Sequence, residues 1–193
     1  MSKSNMSESK VSESKVSESK VSESKRAGGK RFESKPGDSK AGRPLHRRAH
    51  DDYRWDGVDE LPYKEDERAL FKSITRQVLF SDPELSGELR YFEVAAGGFS
   101  TLERHEHMHA VLILRGRGHC LIGDEVRSLE TRDLVTVPPL TWHQFRATKG
   151  EPLGFLCMVN AQRDKPQLPT AADLARLTAD PAIAAFLRGQ RGE

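Results

Sequence analysis

Glu103-Arg104-His105-Glu106-His107-Met108-His109 gathers three of the chain's seven histidines into one short run opened by an acid. Further along comes Pro138-Pro139-Leu140-Thr141-Trp142-His143. Side chains alternate across an extended strand, so residues two apart share a face. Glu103, His105, His107 and His109 therefore offer up to four ligand-type side chains to one cavity, and His143 reaches it from a distant strand. Imidazole nitrogens with one carboxylate suit a single divalent transition metal: Fe, Mn, Ni, Co, Cu or Zn. The set does not discriminate among these ions.

The residues around these motifs alternate in the β manner. Segments 74–80, 88–95, 100–103, 109–115, 118–122, 134–137, 143–147 and 153–159 read as strands. Turn signals separate them, among them Ser81-Asp82-Pro83, Gly97-Gly98, Gly116-Arg117-Gly118, Gly123-Asp124 and Pro138-Pro139. Many short strands at close spacing predict an all-β sandwich or barrel. Phe92, Val94, Ile113, Phe145, Phe155 and Cys157 are its expected lining, which makes the pocket apolar with a polar floor. Downstream, Thr170 with Asp173 fits a capping box, and Asp180-Pro181 fits an N-cap followed by proline at the first helical position. Two short helices are expected there, covering a face or edge of the barrel.

Four regions follow: a tail over 1–50, an arm over 51–73, a barrel over 74–160 and a helical extension over 161–193. The tail repeats Ser-Glu-Ser-Lys-Val. One valine per repeat builds no buried face, so the tail is expected to be disordered: a solvated linker or repeat-expanded tail first, and otherwise a segment that docks on another protein, takes phosphate or weakly anchors a polyanion. The arm mixes Tyr53, Trp55, Leu61, Tyr63, Leu70 and Phe71 with charge, and a short helix is expected over 65–71. Residues 1–50 carry 13 Lys/Arg against 6 Asp/Glu, a net of +7; residues 51–193 carry 18 against 23, a net of −5. The acidic sign of the folded part argues against a nucleic-acid surface on it. No apolar run reaches the length of a membrane span, and the N-terminus lacks a secretory apolar core. Cys120 and Cys157 sit apart in apolar runs and read as reduced core residues. The expected location is the cytoplasm.

Over residues 75–160 the chain resembles the cupins, whose first motif is G-x5-H-x-H-x3-4-E-x6-G and whose second is G-x5-P-x-G-x2-H-x3-N. Two registers fit the first motif. In one, Gly97, Glu103, His105, His109 and Gly116 take the five positions, both glycines match, and the ligand types are permuted. In the other, His105 and His107 form the H-x-H, but Phe99 replaces the opening glycine and Val111 the acid. The first register is preferred. In the second motif Pro138 and His143 are retained, while Arg132 and Leu140 stand at glycine positions and Ala147 at the asparagine.

The resemblance implies a jelly-roll barrel (a double-stranded β-helix) holding one metal on Glu103, His105, His109 and His143. Glu103 doubles as a catalytic base. His107, Phe92 and Phe145 are candidates to back the ligands or line the substrate pocket, and Trp142 reads as core or dimer filler ahead of a substrate platform. It further implies a homodimer, with the 51–73 arm as the exchanged segment. The expected function is a small-molecule metalloenzyme of dioxygenase or isomerase type. The alternative is a non-catalytic ligand-binding or sensor barrel acting through its tail.

Overall fold

The computed structural model describes residues 45–63, 72–82 and 84–189. The disorder expected for the repeats and the helix expected over 65–71 lie outside these residues. The elements are β1 (Glu60–Pro62), β2 (Lys72–Asp82), β3 (Gly87–Phe99), β4 (His109–Arg115), β5 (Gly118–Ile122), β6 (Glu125–Leu129), β7 (Leu134–Val137), β8 (His143–Ala147), β9 (Leu153–Asn160), α1 (Ala171–Leu177) and α2 (Pro181–Leu187). The strand order is β6-β5-β8-β3-β9-β4-β7, with β2 also on β3 and β1 on β2. Every pairing is antiparallel. β3 holds β2 along one side and β9 along the other, and its last residue, Phe99, pairs with Arg146 of β8. One strand serving three partners curls the sheet into a jelly-roll half-barrel.

Strand alternation delivers the expected lining. Phe92, Val94, Ile113, Phe145, Phe155 and Cys157 are all buried and belong to one cluster inside the curl. Phe155 packs between Phe92 and Phe145, with ring centroids 5.5 and 4.9 Å away. Each such side chain removed from water contributes roughly 1.5–3 kcal/mol. Tyr91 points to the opposite face, where Tyr53 and Trp55 of the arm cover it at 5.8 and 5.1 Å. The arm thus packs on its own barrel, and β1 pairs with β2 of the same chain. Arg47 already donates to the carbonyls of Asp56 and Gly57.

Three features depart from the sequence reading. Segment 100–103 is not a strand: only Glu103 bridges, to His143. β6 was not legible, because its Glu-Val-Arg-Ser-Leu is mostly exposed and is held by hairpin pairing with β5. β1 carries a proline and two exposed residues, so it too lacks an apolar signature.

Both helices start where their caps say. Thr170 and Asp173 form the capping box of α1, and the Asp180 carboxylate accepts from the amides of Ala182 and Ile183 at α2. α2 buries Ile183 and Phe186 against Leu102, Leu121, Trp142 and Leu177, a second cluster on the outside of the curl. Replacing Asp180 with alanine orphans two amides and is expected to cost about 1 kcal/mol, read by urea unfolding. Among the described residues no helix is long and apolar enough to cross a membrane.

Candidate metal centre

Residues 100–108 cross the mouth of the half-barrel as a loop rather than a strand. Same-face residues on a straight strand stand roughly 7 Å apart. The ring centroids of His105 and His107 are 3.7 Å apart and those of His105 and His109 4.4 Å, so the chain must bend to bring them together. The bend is pinned from both sides. Glu103 and His143 exchange backbone hydrogen bonds of 3.2 and 2.9 Å, the Leu140 amide donates to the His105 carbonyl at 2.7 Å, and Arg104 pairs with Gln167. Asp164 holds the tip, accepting from the amides of Glu106 and His107 and from the His107 ring at 2.6 Å.

The result is a cluster of four imidazoles and a carboxylate. Glu103, His105 and His143 have donor atoms within 4.8 Å of one another, as do His105, His107 and His109. The two groups share His105, and the His109 and His143 ring centroids are 5.6 Å apart. All four residues of the expected ligand set are therefore neighbours. His107, expected behind the ligands, joins the cluster itself.

Hydrogen bonds fix the tautomers. Nδ1 of His105 meets the His107 carbonyl at 2.6 Å, and Nδ1 of His143 meets the Thr141 carbonyl at 3.0 Å. A carbonyl only accepts, so each Nδ1 carries the proton and each Nε2 keeps a lone pair. The buried Nε2 atoms of His105 and His109 have no hydrogen-bond partner. An unpartnered buried polar atom is costly, and ligating histidines are held by the other ring nitrogen in this way. The residues present therefore fit a divalent cation. Burial first, then the neighbouring imidazoles, pushes His109 down to about 2, and burial and His107 also lower His105. Both rings are thus neutral near pH 7, as ligands must be.

This depression has a stability consequence. The folded-state pKa of His109 lies below the ordinary value of 6.5, so the unfolded chain binds the extra proton. That stability is fully present above about pH 6.5 and is lost as pH falls toward 2. The melting temperature of chelator-treated protein is expected to fall between pH 7 and pH 5, measured by circular dichroism.

A small cavity of about 30 Å³ opens beside the cluster, lined by Glu103, His109, His143, Phe92, Phe145 and Phe155 among others. Trp142 does not line it. That residue lies in the outer cluster with the Arg104 guanidinium 4.6 Å above its ring. Sequence reasoning missed Tyr63, which lines the cavity and donates to Glu103 Oε1 at 2.9 Å. Burial, then the Glu103 charge, raises the Tyr63 hydroxyl well above 10, so it stays a donor. It also missed Asp164, which lies in a Pro-rich stretch with no periodic signal. Burial works against ionisation of Asp164, but the amides of Glu106 and His107 and the His107 ring hold it at about 2. Cys157 is a free thiol raised to about 12 by burial, with Sγ 3.5 Å from His109 Nδ1.

Residues 90–159 match the family model described as Cupin domain. A 1-methylthio-D-xylulose 5-phosphate methylsulfurylase of Rhodospirillum rubrum is 65% identical over 140 residues, which is 72% of this chain and 90% of that protein. The crystal structure of a cupin-2 domain from Rhodospirillum rubrum superposes with a TM-score of 0.69 at 62% identity, over 78% of this chain and 100% of that one. A cupin 2 conserved barrel domain protein from Rhodopseudomonas palustris gives 0.70 at 57% identity, over 73% and 97%.

Proposed function

Because the chain belongs to the cupin family, with a cluster of imidazoles facing an apolar cavity, we propose that it is a metal-dependent enzyme acting on a methylthio-substituted ketose phosphate. The observation that carries this is the identity of 65% to a methylsulfurylase across 90% of that protein's length. Of the chemistries expected from the sequence, carbonyl chemistry fits this substrate better than dioxygenation. The ligands in this reading are Glu103, His105, His109 and His143, with His107 tied to Asp164 beside them. A divalent ion there supplies Lewis acidity toward a ketone oxygen.

The chain's own groups divide the remaining work. Phe92, Phe145 and Phe155 exclude water and give a methylthio group the aromatic contacts that thioethers favour. Glu103 faces the cavity with Tyr63 donating into it, so it is the group able to take or return a proton on carbon beside the polarised carbonyl. Two buried free thiols fit a reducing compartment, the cytoplasm. A homodimer has support in the exposed Leu112, Leu134 and Met158 of the outer sheet face; size-exclusion chromatography with light scattering tests it, and a monomer contradicts it.

Incubating metal-loaded full-length protein with 1-methylthio-D-xylulose 5-phosphate, followed by mass spectrometry, tests the reaction. With an added thiol as the two-electron reductant, the expected result is a 1-deoxy ketose phosphate, the methylthio group leaving as a mixed methyl disulfide with that thiol and a proton taking its place on carbon. Bound metal with unchanged substrate, with and without added thiol, favours the alternative of a ligand-holding barrel. Asp164→Asn separates positioning from ligation: it is expected to weaken metal affinity by roughly 10–100-fold without abolishing it. Equal metal affinity in the variant contradicts the role given to Asp164.

A further inference from the structure

The inner face that carries the cavity continues into a group of arginines that the metal cluster does not use. Strand partners share a face. Arg76 of β2 stands opposite Phe92, and Arg90 of β3 stands opposite Cys157, and both partners line the cavity. Arg163, just beyond β9, reaches back to donate to the Asn160 carbonyl at 2.7 Å and to Glu88. Glu88 also accepts from Arg90 Nη2 at 2.7 Å. Two guanidinium groups therefore share one carboxylate, and the charges of Arg90, Arg163 and Glu88 all act on Arg76.

The cluster is both charged and partly unsatisfied. Arg90 is only 8% exposed. The Nε atoms of Arg76 and Arg90 are buried without a hydrogen-bond partner. Burial, then the charge of Arg90, lowers the pKa of Arg76. Burial works to raise the Glu88 carboxyl, but hydrogen bonds from Arg90 and Arg163 outweigh it and hold it low. Like charges crowded under partial burial, with donors unused, oppose folding unless an anion joins them. Tyr63 connects the two ends of the face: its hydroxyl donates to Glu103, and the charge of Arg90 acts on it.

We propose that Arg76, Arg90 and Arg163 form the anion-holding end of the substrate pocket and take the phosphate monoester of a ligand whose carbonyl end meets Glu103 and the histidines. The pairing of a phosphate with a ketose rests on the functional reading above; the anion site rests on the arginines. Planar guanidinium forks suit phosphate oxygens, and Arg76 and Arg90 each bring an unused Nε–H. Glu88 keeps Arg90 and Arg163 aimed and leaves a positive excess for the incoming dianion. The site then selects phosphorylated over plain sugars, while the apolar wall selects the methylthio end.

The test is calorimetric titration of metal-loaded full-length protein with D-xylulose 5-phosphate, D-xylulose and inorganic phosphate. The native chain is expected to prefer the phosphorylated sugar. Arg76→Gln is expected to lose roughly tenfold or more of that affinity, with metal content and D-xylulose binding unchanged. A merely structural arginine would lower the melting temperature when replaced; relief of like-charge crowding raises it in the ligand-free protein. If Arg76→Gln fails to fold, Arg163→Gln carries the same comparison from the more exposed edge. Native affinity for the phosphorylated sugar in the folded variant overturns the proposal. Turnover of the methylthio sugar phosphate with native binding in Arg76→Gln rejects the anion site and leaves the reaction standing. Phosphate-dependent binding that disappears in Arg76→Gln, with no turnover in the native chain, keeps the anion site and rejects the reaction.

Discussion

His105→Ala is expected to empty the metal centre, lowering affinity for a divalent ion by more than about a hundredfold. His105 is the residue common to both groups of donor atoms, so its loss breaks each of them. Its ring is set in advance: Nδ1 is committed to the His107 carbonyl, and Nε2 faces the cluster with no other partner. Alanine leaves a void that neighbouring rings do not fill, because His107 is held by Asp164 and His143 by the Thr141 carbonyl. Elemental analysis of protein purified without chelators reads the outcome, and His143→Ala is expected to behave alike. Full occupancy in both variants rejects the ligand assignment. A folded variant is expected, since removing a buried unpartnered nitrogen relieves a cost even as it opens a cavity. Circular dichroism of the variant confirms that the loss belongs to the site and not to the barrel.

Gly116→Ala is expected to destabilise the barrel by about 4 kcal/mol, a large part of a domain's usual margin. Gly116 closes the turn after β4 with φ +72, and a Cβ there would lie 1.7 Å from the Pro152 carbonyl oxygen. The obstacle is backbone just before β9, so no side-chain rotation relieves it. Gly97, the opening glycine of the same motif, has a similar φ of +68 but no atom nearer than 4.0 Å to the added carbon. Gly97→Ala therefore costs only the left-handed backbone, about 1 kcal/mol. Thermal melts of the two variants measure the contrast. For a chain of this size the expected drops are roughly 10 °C or more and roughly 3 °C. Equal drops would mean that close approach to Pro152 is not what Gly116 serves.

Much of this was legible in the residues because strand alternation and turn chemistry are local. β4, β5, β7 and β8 begin and end where apolar alternation and glycine or proline turns place them. The two helices were readable because Thr170, Asp173, Asp180 and Pro181 carry their start signals in their own side chains. The metal cluster was readable as a set of residues, but not as a shape. Alternation gave the right neighbours for the wrong reason, since a loop bent over Asp164 gathers the rings that a straight strand would spread apart. Tyr63 and Asp164 were invisible because each reaches the site through the fold, and nothing adjacent to them in sequence marks the contact. The arginine cluster was invisible for a related reason: Arg76, Arg90 and Arg163 sit on three separate segments, and pairing across strands brings them together.

The departures from the second cupin motif have a conformational reading. Arg132 and Leu140 occupy its glycine positions, and both adopt positive φ, 82 and 55. The backbone of the motif is thus kept where its residues are not. Leu140 holds this strained turn while its amide ties to the His105 carbonyl at 2.7 Å. The turn before His143 is therefore coupled directly to the histidine loop, and substitution at Leu140 is expected to be felt at His105 through one backbone hydrogen bond.

The most direct test is X-ray diffraction from crystals of the metal-loaded full-length protein, collected across the absorption edge of the bound ion. The account predicts one anomalous peak per barrel, roughly 2.0–2.2 Å from Nε2 of His105, His109 and His143 and from a carboxylate oxygen of Glu103. A peak elsewhere, or these side chains turned away from a common centre in a loaded crystal, would contradict it.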